Sequence, residues 1–315
     1  MQDPQFSIPT VDVSYYLEDS GSSEARDVIQ QVRHACRTSG FFQITGHGIP
    51  AELQQEVFQA AELVFSLSTE EKIELLGKNG RGYEILGGQT LQPGAKPDLK
   101  EGYFVGPDLA PNVRPPFRDF QHPNIWPPSS LIDPSKFKTP LLKYQSLLAE
   151  LSLKILQILA EGLPYCDAHT FDKFATNPIA NIRLLHYPPQ PNLDDKDQLG
   201  AGAHTDFGAI TLLMQDANGG LQVLNQQTNE WIDVPPNPSA YVVNVGDMLD
   251  TWTKGEYRSN VHRVINRSGT HRYSVPFFFD GNVDYVLEPL DGSGDGKGPT
   301  VEEFMKERYR RTKTS

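Results

Sequence analysis

Two histidines and an aspartate carry the sharpest chemical signal in the chain. His204-Thr205-Asp206 sets an imidazole and a carboxylate two residues apart, a spacing that turns both to one face of an extended strand. His262 stands 56 positions beyond Asp206, in the strand-like segment SNVHRV. Two neutral imidazoles and one carboxylate suit a borderline divalent ion. Bound on one face of a metal, they leave the opposite positions open for a co-substrate and O2 together. No thiolate accompanies them, which argues against structural zinc. Taken alone, the triplet is common by chance, and a histidine in a strand is usually a satisfied core or surface residue.

Ten residues after His262 comes Arg272-Tyr273-Ser274, again a pair sharing one strand face. A buried arginine beside a hydroxyl is a carboxylate receptor, because the planar guanidinium grips both oxygens and the hydroxyl adds a third hydrogen bond. An isolated Arg-x-Ser is more often a surface strand pair, so its meaning depends on the histidines.

These residues need a scaffold of strands. After about residue 179 the chain reads as eight short strands, ANIRLLHY, GAGAHTD, AITLLMQ, GLQVLN, EWIDV, AYVVNV, SNVHRVI and HRYSVPFFF, separated by glycine- and proline-rich turns. That number and spacing suit a jelly roll. Ahead of them, IPTVDV and FFQIT read as strands and Glu24–Ser39, AELQQEVFQAAELVF and Thr139–Gly162 as helices. Residues 77–136 have no sustained period and read as a substrate loop or lid. TVEEFMKERYRR reads as a closing helix capped by Thr300. The expected organisation is one structural unit in three parts. Residues 1–178 form a helical region with its loop, 179–290 the jelly-roll catalytic core, and 291–315 a terminal helix.

The 315 residues hold 28 Lys and Arg against 40 Asp and Glu, a formal charge of −12. An acidic surface argues against nucleic acid as a partner, and no apolar run is long enough to span a membrane. Two cysteines, Cys36 and Cys166, make no disulfide framework and imply a reducing compartment. The opening residues lack a basic stretch followed by an apolar one, so the cytosol is the expected location.

Beyond the triplet, IPTVDV, GFFQITGHGI, PDLKEGYF, LLHYPPQP, GAHTDFGAITLL, GGLQV, VNVGDML, VHRV and RYSVPFFF occur in an order that covers nearly all of the chain. In this the sequence resembles the isopenicillin N synthase-like family of 2-oxoglutarate and Fe(II)-dependent dioxygenases. The resemblance implies a mainly β fold with flanking helices around a distorted double-stranded β-helix, which is a jelly roll. It implies that His204, Asp206 and His262 hold Fe(II), and that Arg272, Ser274 and Tyr187 bind 2-oxoglutarate. The reaction it implies is decarboxylation of 2-oxoglutarate to succinate by O2, coupled to oxidation of a C–H bond in a small organic molecule of specialised metabolism. Hydroxylation, desaturation and ring rearrangement are all outcomes known for such families.

Strand alternation points to residues that see the substrate. If Tyr187 faces inward, so do Leu185, Arg183 and Asn181. A cation aimed into a barrel needs an anion or a polar group, so Arg183 meets either the substrate or an acidic residue of the 77–136 loop. The same parity from Arg272 brings Phe278 and Asp280 to the mouth, provided Pro276 does not shift the register. Phe278 is placed to stack on a flat ring. Tyr103 and Phe104 are candidates to cover it, although for Phe104 plain core is the simpler reading. Lys96, Lys100 and Glu101 read as a solvated charged stretch. Three competing functions stay open here: an oxidase of the same family that uses no 2-oxoglutarate, a zinc hydrolase, and a non-catalytic binding protein.

Overall fold

The N-terminal periodicities become short elements in a computed structural model that describes residues 6–110 and 112–313. The first five residues of the opening stretch lie outside the described residues. In order come β1 (Thr10–Asp12), α1 (Ser14–Glu18), α2 (Ser23–Thr38), β2 (Phe41–Thr45), α3 (Ala51–Phe65) and α4 (Thr69–Glu74). Helix α2 begins where the Ser22 hydroxyl accepts from the Ala25 amide, and buries Ala25, Val28, Ile29, Val32, Ala35 and Cys36 on one stripe. It ends at Gly40, whose φ of +72° is open to glycine. A Cβ there would lie 2.1 Å from the Arg258 carbonyl oxygen, so close backbone approach also demands glycine.

The 77–136 stretch is not all loop. It contributes β3 (Gly82–Glu84) and β4 (Glu101–Val105) before α5 (Lys138–Glu161). All eight segments read as strands after residue 179 are strands: β5 (Ile179–Tyr187), β6 (Ala201–His204), β7 (Ile210–Gln215), β8 (Leu221–Asn225), β9 (Glu230–Asp233), β10 (Tyr241–Val245), β11 (His262–Val264) and β12 (Arg272–Gly281). A short α6 (Asp247–Trp252) precedes β11, and α7 (Val301–Lys313) closes the chain. At its start the Thr300 hydroxyl accepts from the Glu303 amide, while Glu303 accepts from the Thr300 amide.

The strands form two sheets. The larger runs β1-β2-β10-β7-β12-β5-β4-β3 and the smaller β6-β11-β8-β9. Four strands from before residue 179 thus extend the larger sheet at both ends. Alternation along β5 and β12 then sorts side chains between two apolar regions. Ile182, Leu184, Val275 and Phe277 pack into the core formed with α2, α3 and α5. Leu185 and Tyr187 face the smaller sheet, packing with Ala201, Leu221, Val223 and Val264. The space between the sheets receives the residues with chemistry. Among the described residues, no helix is long and apolar enough to cross a membrane.

Candidate active site

His204 ends β6 and His262 begins β11, and these two residues are direct partners in the smaller sheet. Pairing alone therefore brings together side chains 58 positions apart in sequence. The ligand atoms of His204, Asp206 and His262 all lie within 4.8 Å of one another. Asp206 Oδ1 is 3.9 Å from His204 Nε2 and 3.8 Å from His262 Nε2.

Second contacts fix which atoms converge. His204 Nδ1 lies 2.7 Å from the Gly202 carbonyl oxygen and His262 Nδ1 lies 3.2 Å from that of Asn260. A carbonyl only accepts, so each Nδ1 carries the proton and each Nε2 presents a lone pair to the common point. The other carboxylate oxygen, Asp206 Oδ2, accepts from Thr211 Oγ1 at 2.6 Å and from Asn244 Nδ2 at 2.9 Å. Burial, then the neighbouring His262 ring, hold the His204 imidazole well below its ordinary pKa and so keep it neutral. Burial raises the Asp206 carboxyl, but its surroundings, including the hydrogen bonds from Thr211 and Asn244, outweigh it and hold the group below the ordinary carboxylate range. Two neutral imidazoles and a carboxylate oxygen are a donor set for a divalent metal with open positions.

Arg272 is fully buried. Its Nε donates to the Gly219 carbonyl, Nη1 to Ser274 Oγ at 3.3 Å and Nη2 to Gln215 Oε1 at 3.3 Å. Its guanidinium also lies 4.7 Å from the centre of the Tyr187 ring. No acidic side chain forms an ion pair with it among the described residues, and a buried cation without an anion is costly. Gln215, opposite Ser274 in register, leaves its buried Nε2 without a partner. A guanidinium, a hydroxyl and an idle amide donor together fit a carboxylate. Gln215 escaped the sequence reading. So did Thr211 and Asn244, although an asparagine inside the apolar strand YVVNV was a visible signal.

The remaining candidates divide. Leu185 and Arg183 do face the side of Tyr187, as alternation requires. Arg183, however, already has a protein partner: its guanidinium is 2.7 Å from Glu84 Oε2, donates to Gln89 Oε1 at 3.0 Å and lies over the Phe104 ring. It thus meets the loop acid that was the alternative to substrate. A cavity of about 280 Å³ opens here, lined by Glu84, Gln89, Lys100, Phe104 and Arg183 among others. It lies beside β3 and β4 rather than over the histidines.

Tyr103 does not cover the site. It pairs with Leu184, is fully buried on the helix side against Phe137, and donates its hydroxyl to the Ile125 carbonyl. Phe104 pairs with Arg183 and so faces the cavity. The parity of β5, carried across to β4, reverses the two expectations. Lys100 and Glu101 are not solvated either, at 4% exposure each. Lys100 is ion-paired to Asp98, whose other oxygen accepts from the Gly202 amide two residues before His204. Glu101 accepts from Lys72 and Tyr83 and contacts His186 Nδ1 at 2.7 Å. Lys96 remains at the surface, paired with Asp195.

Pro276 leaves the register intact: Ser274 pairs with Leu185 and Phe278 with Asn181. Phe278, which also pairs with Thr211, therefore lies toward Asp206, while a bulge between Phe279 and Gly281 takes Asp280 out of that parity and sets its carboxyl against Gly208.

Comparison with known proteins is consistent with this geometry. Residues 178–281 match the model of the 2OG-Fe(II) oxygenase superfamily, and residues 8–129 match the N-terminal region of non-haem dioxygenases in morphine synthesis. The 2-oxoglutarate-dependent dioxygenase citB of Monascus ruber is 48% identical over 313 residues, covering 96% of this chain and 94% of that protein. Clavatol oxidase claD of Penicillium crustosum is 42% identical over 330 residues, covering 98% and 97%. The crystal structure of a full-length Neurospora crassa protein in complex with alpha-KG superposes with a TM-score of 0.85 at 28% identity, covering 99% of this chain and 98% of that one.

Proposed function

The chain belongs to the 2OG-Fe(II) oxygenase superfamily, and from that premise we propose which of its residues carry the chemistry and on what kind of molecule. It is a 2-oxoglutarate and Fe(II)-dependent dioxygenase with the double-stranded β-helix fold, using O2 as co-substrate. In our reading His204, Asp206 and His262 hold Fe(II). Arg272, Ser274, Tyr187 and Gln215 bind 2-oxoglutarate. The single observation that carries this assignment is the buried Arg272, which lacks any acidic partner among the described residues and sits beside the unpaired Gln215 amide.

When bound, ferrous iron and 2-oxoglutarate would supply the oxidising power: O2 takes two electrons from 2-oxoglutarate, giving succinate and CO2, and two from a substrate C–H bond. The protein's own residues position and protect. Gly202 and Asn260 carbonyls aim the two imidazoles, and Thr211 and Asn244 hold one carboxylate oxygen so that the other points to the metal. Tyr187, packed on Arg272, shields the guanidinium from water and so strengthens its grip on a carboxylate. The apolar wall of Leu185, Val223 and Val264 keeps the space between the sheets dry.

The substrate in this reading is a small organic molecule of specialised metabolism, held on the side of Leu185, Phe278 and Asp280, with Arg183 and Phe104 at the cavity beside β4. Similarity to fungal dioxygenases, a clavatol oxidase among them, supports this. Two free thiols, Cys36 and Cys166, support a reducing compartment such as the cytosol. The hydrolase and binding-protein alternatives receive no support from the relatives.

The test is succinate formation from 2-oxoglutarate. Release of succinate that requires Fe(II), stops on chelation and is absent in Asp206→Ala supports the assignment. Substrate turnover unchanged when 2-oxoglutarate is omitted removes it in favour of a 2-oxoglutarate-independent oxidase.

A further inference from the structure

The two residues that flank Asp206 are both held by side chains from distant parts of the chain. Thr205 Oγ1 donates to Asp247 Oδ2 at 3.1 Å, and Phe207 packs edge-on against Tyr309 with ring centres 5.3 Å apart. Tyr309 belongs to the closing helix α7. So does Arg308, whose Nη2 donates to the same Asp247 oxygen and whose guanidinium lies 5.3 Å from the centre of the Phe207 ring. Two successive residues of α7 thus reach both sides of Asp206, one of those sides through Asp247.

Asp247 is the link between that helix and the loop. The amides of Gly246, Asp247 and Met248 donate to the carbonyls of Ala209, Asp206 and Gly208 at 2.9, 2.8 and 3.1 Å, so the backbone around Asp206 lies against the start of α6. A Cβ at Gly246 would stand 2.2 Å from the Gly208 oxygen, and glycine alone permits this approach. The backbone of Asp247 therefore holds Asp206 while its carboxylate holds Thr205. That side chain is only 15% exposed, and Arg308 is the one cation ion-paired with it among the described residues. A largely buried carboxylate that loses its counter-charge is strongly destabilised where it stands. Without Arg308, the residue that fastens the loop is driven toward water.

We propose that Arg308 is a positioning residue for the metal centre: through Asp247 and Phe207 it holds the loop that carries Asp206, so that affinity for ferrous iron depends on the seating of α7. The inference rests on the reading of Asp206 as an iron ligand. Thr211 and Asn244 fix the carboxylate itself, whereas Arg308 fixes the backbone from which that carboxylate springs. Groups that orient a metal ligand typically change affinity about ten- to a hundredfold, and Arg308, acting through intermediates, belongs at the low end. The rest of α7 is fastened elsewhere. Lys306 pairs with Asp119 and Glu302, and Arg118 pairs with Glu302 and Asp284. These ion pairs seat the helix without touching residues 205–208, which supplies a control.

The experiment measures the Fe(II) affinity of the full chain under nitrogen by competition with a coloured chelator. Arg308→Leu is expected to weaken it about tenfold, and Arg308→Lys, which keeps a cation beside Asp247, to restore most of the loss. Asp247→Asn should weaken it by a similar factor, and the double variant Arg308→Leu, Asp247→Asn no further than either change alone, since the two groups act as one unit. Lys306→Leu loosens the same helix away from the loop, so it should lower the melting temperature and leave iron affinity unaltered. Unchanged affinity in Arg308→Leu, an equal loss in Lys306→Leu, or losses that add in the double variant overturns the proposal. Should Arg308→Leu fail to fold, Thr205→Val cuts the same link beside the loop; a tenfold loss supports the proposal and unchanged affinity overturns it. Failure of the underlying assignment shows separately, as Fe(II) binding by the unaltered protein that Asp206→Ala leaves intact.

Discussion

Arg272 and Tyr187 face each other across β12 and β5 as direct partners, with the guanidinium 4.7 Å from the centre of the ring. The ring covers one face of a cation that has neutral oxygens, but among the described residues no carboxylate, around its edge. In the reading proposed above, this arrangement leaves the arginine's charge for the co-substrate's carboxylate while the ring keeps water from it.

Replacing Arg272 by lysine keeps the charge and removes the planar fork. The change is expected to weaken 2-oxoglutarate binding by about ten- to a hundredfold, the range of one charge-assisted hydrogen bond at ~1.5–3 kcal/mol. Calorimetric titration of 2-oxoglutarate into the iron-loaded variant measures it.

Thr211→Val removes the hydroxyl that donates to Asp206 Oδ2 at almost constant volume. With the carboxylate less firmly aimed, affinity for ferrous iron should fall about ten- to a hundredfold, as is usual for groups that orient a metal ligand. A competition titration against a chelator reads the change, and an unaltered affinity would show that Asn244 alone suffices.

The Asp280 carboxyl, raised to about 8 by burial and then by Asp206, gives stability a definite dependence on pH. Its ordinary value is 3.8, so between about 4 and 8 the native state keeps a proton that the unfolded chain has released. The contribution is whole below the unfolded value and is lost as pH climbs through the folded one. Asp280→Asn has no proton to lose. It should melt close to the unaltered protein near pH 4 and increasingly above it toward pH 8, by a few kcal/mol at ~1.4 kcal/mol for each pH unit crossed. Melting curves across that range decide it, and a constant gap contradicts the assignment.

Tyr103 and Phe104 should respond in opposite ways. Tyr103→Phe loses the hydrogen bond to the Ile125 carbonyl and is expected to cost about 1 kcal/mol of stability with no effect on turnover. Phe104→Ala strips the cation–π contact from Arg183 and enlarges the cavity, so substrate KM should change while the 2-oxoglutarate dissociation constant does not. Denaturant unfolding and steady-state kinetics on the two variants separate the roles.

The sequence by itself determined the eight later strands, the principal helices, and the triplet and Arg-x-Ser signals. Those features are local: a period of two, a helical stripe, or two residues apart on one strand face. It also placed Asn181, Arg183, Leu185 and Tyr187 on one side of β5, because alternation needs no partner strand. What it left undecided was every question of which strand lies beside which. Only pairing of β4 with β5 turns Tyr103 to the helices and Phe104 to the cavity, and only folding of the 77–136 stretch against β5 and β6 buries Lys100 and Glu101 and brings Glu84 to Arg183. The grip of Thr211 and Asn244 on Asp206, and the bulge that swings Asp280 onto Gly208, belong to the same class. Many of these contacts join residues tens of positions apart or more, and no local spacing encodes them; register across the sheet does.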